Sequence, residues 1–225
     1  MNGKSMRRGR LCLTFDDRNF KNWINSLPLW RKYDAHATFF VSGKIDEEAL
    51  TVMHRLQDEG HSVGLHALHH VKAAGRQEDY IAGEIMPQLS VCRQNGIGIR
   101  AFAYPYSSRD ENIDRMLFEH FDLLRGGAAQ ILMPGENVAE KERFFVPDVA
   151  EKQLFYGSPV SGNFDFDTVQ RCFRRAAGSG EVIVFYAHDV VKKVAPSHHI
   201  SFGQLEVLLK LARALNMKIC GMNEL

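Results

Sequence analysis

The chain alternates between short apolar runs rich in β-forming residues and longer segments with the apolar spacing of helices. The runs predicted to be strands are RLCLTFDD, AHATFFVSG, HSVGLH, RAFAYPY, FDLLRGG, RFFVPDV and EVIVFYAHD. Helices are predicted at Asp46–Glu59, Asp79–Asn95, Asp110–His120, Asp165–Ala177 and Gly203–Asn216, with a kink or break at Pro87. This alternation favours an α/β fold, in which helices surround a parallel sheet that is open or closed into a barrel.

Length and composition favour one α/β domain over residues 1–225, with residues 1–9 as a flexible N-terminal tail. A formal net charge of +1 gives no indication of nucleic-acid binding. No apolar run approaches the roughly 20 residues of a membrane span, and no secretory signal is visible. We expect a cytoplasmic protein if the sequence is complete as given, and a cell-envelope or secreted protein if a signal was removed. The oligomeric state is not predicted.

Polar residues follow three of the predicted strands at the point where each strand ends. Asp16 and Asp17 follow the first, the Tyr-Pro-Tyr of FAYPYS follows another, and His188 follows VIVFYA. Because parallel strands deliver their carboxyl ends to one edge of a sheet, we expect these side chains to converge on one site.

Four of the ten histidines lie within GHSVGLHALHH, residues 60–70. His66 and His70 are four residues apart, so on a helical turn or a tight loop they can share one ion. Such a pair alone is equally typical of surface or core histidines. Two histidines and one carboxylate, however, form a recurrent catalytic metal site. The four cysteines are far apart, so a metal would need ligands of this kind.

The Asp16-Asp17 pair can supply that carboxylate. Adjacent residues leaving a strand point to opposite sides, so one aspartate can bind the metal while the other faces its open position. The aspartate that faces the open position can then accept a proton from a metal-activated water. Alternatively, both aspartates cap a helix that begins near Asn19. His188 can act as the acid for a leaving group, or it can be a buried structural histidine.

The segments LTFDD, ATFFVSG, GHSVGLHALHH, FAYPYS and VIVFYAHD resemble, in order and spacing, the polysaccharide deacetylases with a NodB homology domain, carbohydrate esterase family 4. The resemblance extends from about Leu11 to about Met217. It implies a distorted (β/α) barrel that removes acetyl groups from N-acetylated sugars with the help of a divalent metal. Zn²⁺ is the first candidate, and Co²⁺, Ni²⁺, Mn²⁺ or Fe²⁺ are alternatives.

Carried over by position, the resemblance implies a role for each motif residue. Asp16 is the general base, His188 the general acid, and the backbone N–H of Tyr106 part of the oxyanion hole. The metal ligands are Asp17, His66 and His70.

Four positions depart from the family pattern. Arg18 stands where a glycine is usual, Ala67 where a serine or threonine is usual, and Tyr186 where a leucine is usual. The segment FAYPYS, which corresponds to the third motif of the family, also lacks the arginine that pairs with the catalytic base. Ala103 or Tyr104 falls at that position. Arg125 is the first candidate to replace it and Arg143 the second, although both can be ordinary salt-bridge residues.

The substrate-binding residues are predicted with less support. Tyr104, Tyr106 and Tyr186 can stack on sugar faces or pack in the wall of the site. Asp148 falls near the fourth motif, where it can orient His188, or it can be a loop aspartate.

Three functions remain open. The expected substrate is an N-acetylated glycan or a small amide. A first alternative is a hydrolase of another non-peptide amide on the same fold. A second is a non-catalytic protein that binds metal and sugar, which the missing arginine suggests and the retained Asp16 and His188 oppose.

Overall fold

The computed structural model describes residues 7–127, 142–160, 164–193 and 198–225. Within these ranges the strands are β1 (Arg10–Asp17), β2 (Thr38–Val41), β3 (Ser62–Leu65), β4 (Ala101–Ala103), β5 (Leu123–Gly127), β6 (Gln153–Pro159), β7 (Val182–Ala187), β8 (Asp189–Val191), β9 (His199–Ser201) and β10 (Lys218–Ile219). The α-helices are α1 (Phe20–Lys32), α2 (Glu47–Asp58), α3 (Gln77–Tyr80), α4 (Met86–Gln94), α5 (Glu111–Leu117), α6 (Phe166–Ser179) and α7 (Phe202–Ala214), and a π-helix (Ile81–Ile85) joins α3 to α4.

Strands β1 to β7 form a closed parallel barrel. Each strand pairs with the next in chain order, and β7 pairs back with β1. The short strand β10 extends the sheet beside the start of β1, where Leu11 is opposite Ile219. The predicted α/β barrel is therefore confirmed, with seven strands in its ring.

Alternation along the strands separates two apolar layers. In β1, Leu11, Leu13 and Phe15 pack outward against the helices, whereas Cys12 belongs to a smaller cluster inside the barrel. Successive strand residues point to opposite faces, so Asp16 shares the inward face with Cys12. The same alternation places Leu123 of β5 inside, and Arg125 follows it on that face.

The predicted helix starts are confirmed by side-chain caps. Asp46 accepts a hydrogen bond from Ala49 N–H at 3.0 Å, and Asp165 accepts one from Thr168 N–H at 2.9 Å. Each satisfies an N–H group that has no partner within its own helix. Pro87 has the predicted effect, because the π-helix immediately precedes α4 there.

One predicted strand is wrong. RFFVPDV contributes a 3₁₀ turn at Glu142–Phe144 and a single antiparallel bridge from Val146 to Val182. Its aromatic residues are buried by packing instead, with the Phe144 ring 5.4 Å from that of Phe185. The sixth barrel strand is β6, whose Gly-Ser-Pro ending weakens its strand signal.

Part of the segment predicted to be a flexible tail contacts the barrel. Residues 1–6 lie outside the described part of the chain, but Gly9 is buried and accepts a hydrogen bond from Lys218 N–H at 2.9 Å. Arg8 also donates to the Met217 carbonyl at 2.9 Å. Residues 7–9 are thus held against the start of β10. Among the described helices, none combines the length and apolar character needed to cross a membrane.

Replacing Phe39 should test the outer apolar layer. Its ring is fully buried and lies 5.4 Å from Phe15 and 5.1 Å from Trp23. We expect Phe39→Ala to lower the free energy of unfolding by about 3–5 kcal/mol, because the cavity cannot collapse against a rigid sheet. Chemical denaturation measures this loss. Val207→Ala is the control, at a side chain on α7 that is 42% exposed, and should change the free energy of unfolding by about 0.5 kcal/mol or less. Equal losses in the two variants would contradict the contribution of the outer apolar layer to stability.

Candidate active site

A cleft of about 730 Å³ opens at the carboxyl ends of the barrel strands. It brings together most of the residues predicted from the motifs, although they are up to 172 positions apart in the chain. Those that line it are Asp16, Asp17, His66, His70, Tyr104, Tyr106, Arg125, Tyr186 and His188. The parallel topology therefore produces the convergence that the strand ends predicted.

Asp16 forms a buried ion pair with Arg125. One guanidinium nitrogen lies 2.6 and 2.5 Å from the two carboxylate oxygens, and both side chains are at most 3% exposed. The guanidinium also lies over the rings of Phe40 and Tyr186, 5.5 and 4.8 Å from their centroids. Arg125 thus occupies the position that a replacement for the third-motif arginine requires, whereas Arg143 lies over Tyr156.

The ion pair determines the charge of Asp16. Burial alone would raise the pKa of this carboxyl, but the charges of Arg125, His66 and His188 outweigh burial and lower it below its ordinary value. Asp16 is therefore ionised near neutral pH and can accept a proton.

Asp17, His66 and His70 form a cluster beside this pair. Their possible ligand atoms all lie within 4.8 Å of one another. Asp17 Oδ1 is 3.9 Å from His66 Nε2 and 3.6 Å from His70 Nε2, which is too far for a hydrogen bond. These separations are close to the roughly 3.3 Å expected between two ligand atoms around one tetrahedral zinc ion. The donor set therefore fits a divalent metal.

The state of His66 also suits a metal ligand. Burial lowers the pKa of His66 to about 4, so the imidazole is neutral at neutral pH. Its Nδ1 lies 2.8 Å from the Ala103 carbonyl oxygen, which can only accept a hydrogen bond. Nδ1 therefore carries the proton, and the Nε2 lone pair faces Asp17 and His70.

His188 is held by its backbone. Its N–H donates to the His198 carbonyl at 2.6 Å, and its carbonyl accepts from Asn19 Nδ2 at 3.1 Å and Trp23 Nε1 at 3.0 Å. Its imidazole Nε2 is 3.9 Å from Asp17 Oδ2. The ring thus faces the same carboxylate as the two clustered histidines.

Tyr106 lies on a tight turn at the rim. Its φ of 56° is in the left-handed region, which non-glycine residues rarely adopt, and its side chain is 66% exposed. Its ring centroid is 4.7 Å from that of His70. The strained turn places Tyr106 among the residues that line the cleft.

Two of the residues predicted to bind the substrate or orient His188 have other partners. Tyr104 is only 1% exposed, and its hydroxyl donates to Asp114 at 2.7 Å, so its ring is part of the wall. Asp148 lies outside the cleft, 75% exposed, and pairs with Arg7. It cannot orient His188 from there.

Sequence reasoning missed several supporting residues. Asn19 and Trp23 bind the His188 carbonyl from the first turn of α1, and Phe40 supports Arg125. A weak indication of Asn19 and Trp23 is present in the sequence, because residues four apart share one helical face and these two come shortly after the paired aspartates. His198 and His199 also line the cleft.

Replacing Arg125 should show how much the ion pair contributes to the free energy of unfolding. Arg125→Met leaves the Asp16 carboxylate buried and unpaired, so we expect about 3–5 kcal/mol less stability near pH 7. In this variant burial would raise the Asp16 pKa above that of the unfolded chain. The deficit should therefore shrink as pH falls from roughly 7 to 5, because a protonated Asp16 costs less to bury. Urea denaturation at several pH values measures this.

The double variant Arg125→Met/Asp16→Asn is the control for that experiment. It removes the unpaired charge, so it should recover part of the lost stability and show no such pH dependence. A deficit in Arg125→Met that stays constant across this range would contradict the assignment.

Comparisons with known proteins agree with this geometry. Residues 3–120, more than half of the chain, match the family model described as polysaccharide deacetylase. A segment of 77 residues is 32% identical to the peptidoglycan-N-acetylmuramic acid deacetylase PdaA of Bacillus subtilis (strain 168), and covers 33% of this chain and 29% of that protein. The match therefore spans less than a third of that curated relative.

Similar solved structures share the fold. The chitin deacetylase of Colletotrichum lindemuthianum gives a TM-score of 0.65 at 18% identity, over 97% of this chain and 87% of that one. A carbohydrate esterase family 4 pseudoenzyme from Bacillus anthracis gives 0.62 at 17% identity, over 98% and 66%. The seven-stranded ring is thus the distorted (β/α) barrel that the motifs implied. From the matched sequence model and the shared barrel, the chain belongs to the polysaccharide deacetylase family.

Proposed function

We propose that this protein is a metal-dependent hydrolase that removes N-acetyl groups from an N-acetylated carbohydrate. The observation that carries the proposal is the composition of a single cleft. It contains an ionised carboxylate paired with a buried arginine, an Asp-His-His cluster, and a third histidine facing that cluster. A base, a metal site and an acid are the groups that amide hydrolysis requires.

Asp17, His66 and His70 would hold the metal. Two imidazoles and one carboxylate suit Zn²⁺, and Co²⁺, Ni²⁺, Mn²⁺ or Fe²⁺ can use the same ligands. A divalent ion bound there would lower the pKa of a coordinated water and polarise the substrate carbonyl.

Asp16 is proposed as the general base. Its carboxylate accepts a proton as the oxygen of water adds to the acetyl carbonyl carbon. Arg125 keeps Asp16 ionised before this step, and the burial of both groups keeps the carboxylate in one position. The Tyr106 backbone N–H donates to the carbonyl oxygen as negative charge develops on it.

His188 is proposed as the general acid. Its imidazolium donates a proton to the amide nitrogen as the bond between carbon and nitrogen breaks. Acetate and a free amine result. Asp16 then releases the proton it took from water, and His188 takes one up, so the site returns to its starting state.

The proposed substrate is a glycan. The names of the deacetylase relatives, which concern peptidoglycan and chitin, support this class. At the rim, the Tyr106 ring is exposed enough to stack on a sugar face, and the Tyr186 ring lines the cleft. Retention of Asp16 and His188 argues against a protein that only binds sugar.

The activity test is release of acetate from N-acetylglucosamine oligomers and peptidoglycan fragments, with added Zn²⁺ or Co²⁺. We expect Asp16→Asn and His188→Ala each to lower the rate by about 100- to 10,000-fold, because each removes a proton-transfer group. Asp148→Asn is the matched control and should retain the wild-type rate, since Asp148 lies outside the cleft. If the wild type binds metal but releases acetate from no glycan, the substrate is another amide or the protein only binds its ligand.

Metal binding can be tested separately from activity. After dialysis against a chelator, the protein should bind about one equivalent of Zn²⁺ in a calorimetric titration. We expect His66→Ala and His70→Ala each to weaken binding by about 100-fold or more, since each removes a direct ligand. His54→Ala, at an exposed histidine on α2, should bind normally. Unchanged binding by His70→Ala would contradict the proposed ligand set.

A further inference from the structure

The loop that carries His66 and His70 has an unfavourable backbone. Ala67 has a φ of 63° and His70 a φ of 51°, both in the left-handed region although neither is glycine. Such conformations are unfavourable for residues other than glycine and persist only where surrounding contacts hold them. Ala67 also has no polar side-chain atom with which to tie the loop together. The contacts that hold it must come from elsewhere.

Glu84 supplies contacts at two consecutive residues of this loop. Its carboxylate accepts from the His69 backbone N–H at 2.6 Å and lies 2.9 Å from His69 Nδ1. Its backbone carbonyl accepts from Leu68 N–H at 3.2 Å. The Glu84 side chain is 6% exposed, whereas the His69 side chain is 67% exposed, so the carboxylate is held inside while the imidazole lies at the surface. Leu68 and His69 are the middle of the segment between the two metal-site histidines.

The helix around Glu84 is irregular at this point. Glu84 lies in the π-helix, in which Met86 N–H donates to Ile81 O, five residues earlier. Pro87 follows and has no N–H to offer to the preceding turn. The Glu84 carbonyl itself accepts from the Leu68 N–H, outside its own helix. Single π turns are rare and occur frequently at functional sites.

A second residue of the same segment contacts the far side of the loop. The Tyr80 hydroxyl donates to the Val71 carbonyl at 3.4 Å, and Tyr80 lies four residues before Glu84, on the same helical face. The segment therefore contacts the loop on both sides of His70.

We propose that Glu84 is a positioning residue for the metal site: by binding Leu68 and His69 it sets the separation and orientation of His66 and His70. This inference rests on the proposed metal ligands. Glu84 does not touch the metal or the substrate, and it acts through the loop. Its removal should therefore change how a metal is held, beyond any change in stability.

The test uses Glu84→Ala and Glu84→Gln, with Glu78→Gln as the matched control at an exposed glutamate one turn and a half earlier. The first measurement is the Zn²⁺ affinity of the metal-free full-length protein, by competition with a chelating dye. The second is the visible absorption spectrum with Co²⁺, which reports the geometry of the ligands. We expect Glu84→Ala to weaken Zn²⁺ binding by about 10- to 100-fold, as is typical for residues that orient metal ligands. The Co²⁺ spectrum should also change, and Glu78→Gln should match the wild type in both.

Glu84→Gln keeps an acceptor for the His69 N–H but loses the charge, so we expect a smaller loss of affinity, about 10-fold. If Glu84→Ala fails to fold, Glu84→Gln decides the question. A purely structural role predicts a lower unfolding temperature with Zn²⁺ affinity and Co²⁺ spectrum unchanged in the folded variants, and that result would overturn the proposal. A wild type that binds metal but releases no acetate would remove the proposed activity and leave this inference intact, whereas a wild type that binds no metal would remove both.

Discussion

The geometry of the cleft depends on the ion pair between Asp16 and Arg125 inside the barrel. Transfer of both groups out of water is costly, and the pair is tolerated because the charges are in contact and the guanidinium lies against two aromatic rings. The pair also joins β1 to β5 across the interior, so the position of the carboxylate is fixed from both sides. Asp17, one residue further along β1, lines the same cleft and lies beside His66 and His70.

Several residues of the site have strained backbone conformations, which contacts with the barrel hold in place. Asp17, His70 and Tyr106 all have positive φ although none is glycine. Asp17 ends β1, and His70 and Tyr106 lie in the segments after β3 and β4. Hydrogen bonds from neighbouring elements hold these segments in place. One example is the bond from Gly43 N–H to Ala67 O at 3.1 Å, which ties the end of β2 to the histidine loop. Packing against the barrel thus stabilises backbone conformations at its rim that the same loops would not keep in isolation.

Sequence reasoning succeeded where the determinants are local. Strand alternation, the aspartate caps of α2 and α6, and the paired aspartates all depend on a few neighbouring residues. It was less successful where the side-chain partner decides: Asp148 pairs with Arg7, and the Tyr104 hydroxyl donates to Asp114. RFFVPDV has a strand composition but is buried by ring packing. Arg125 could be proposed because it stands at the end of the predicted strand FDLLRG.

Because Asp148 lies outside the cleft, other groups must orient His188. Among the described residues its buried Nδ1 has no hydrogen-bond partner, so no carboxylate orients the ring through that atom. Its orientation depends instead on three backbone hydrogen bonds and on packing beside His198, whose ring centroid is 4.7 Å away. Burial lowers the pKa of His188, and the charges of Asp16 and Asp17 oppose this effect. The proton affinity of the proposed acid therefore depends on burial and on the same two carboxylates that are proposed as the base and a metal ligand. The three roles are thus coupled electrostatically within one cleft.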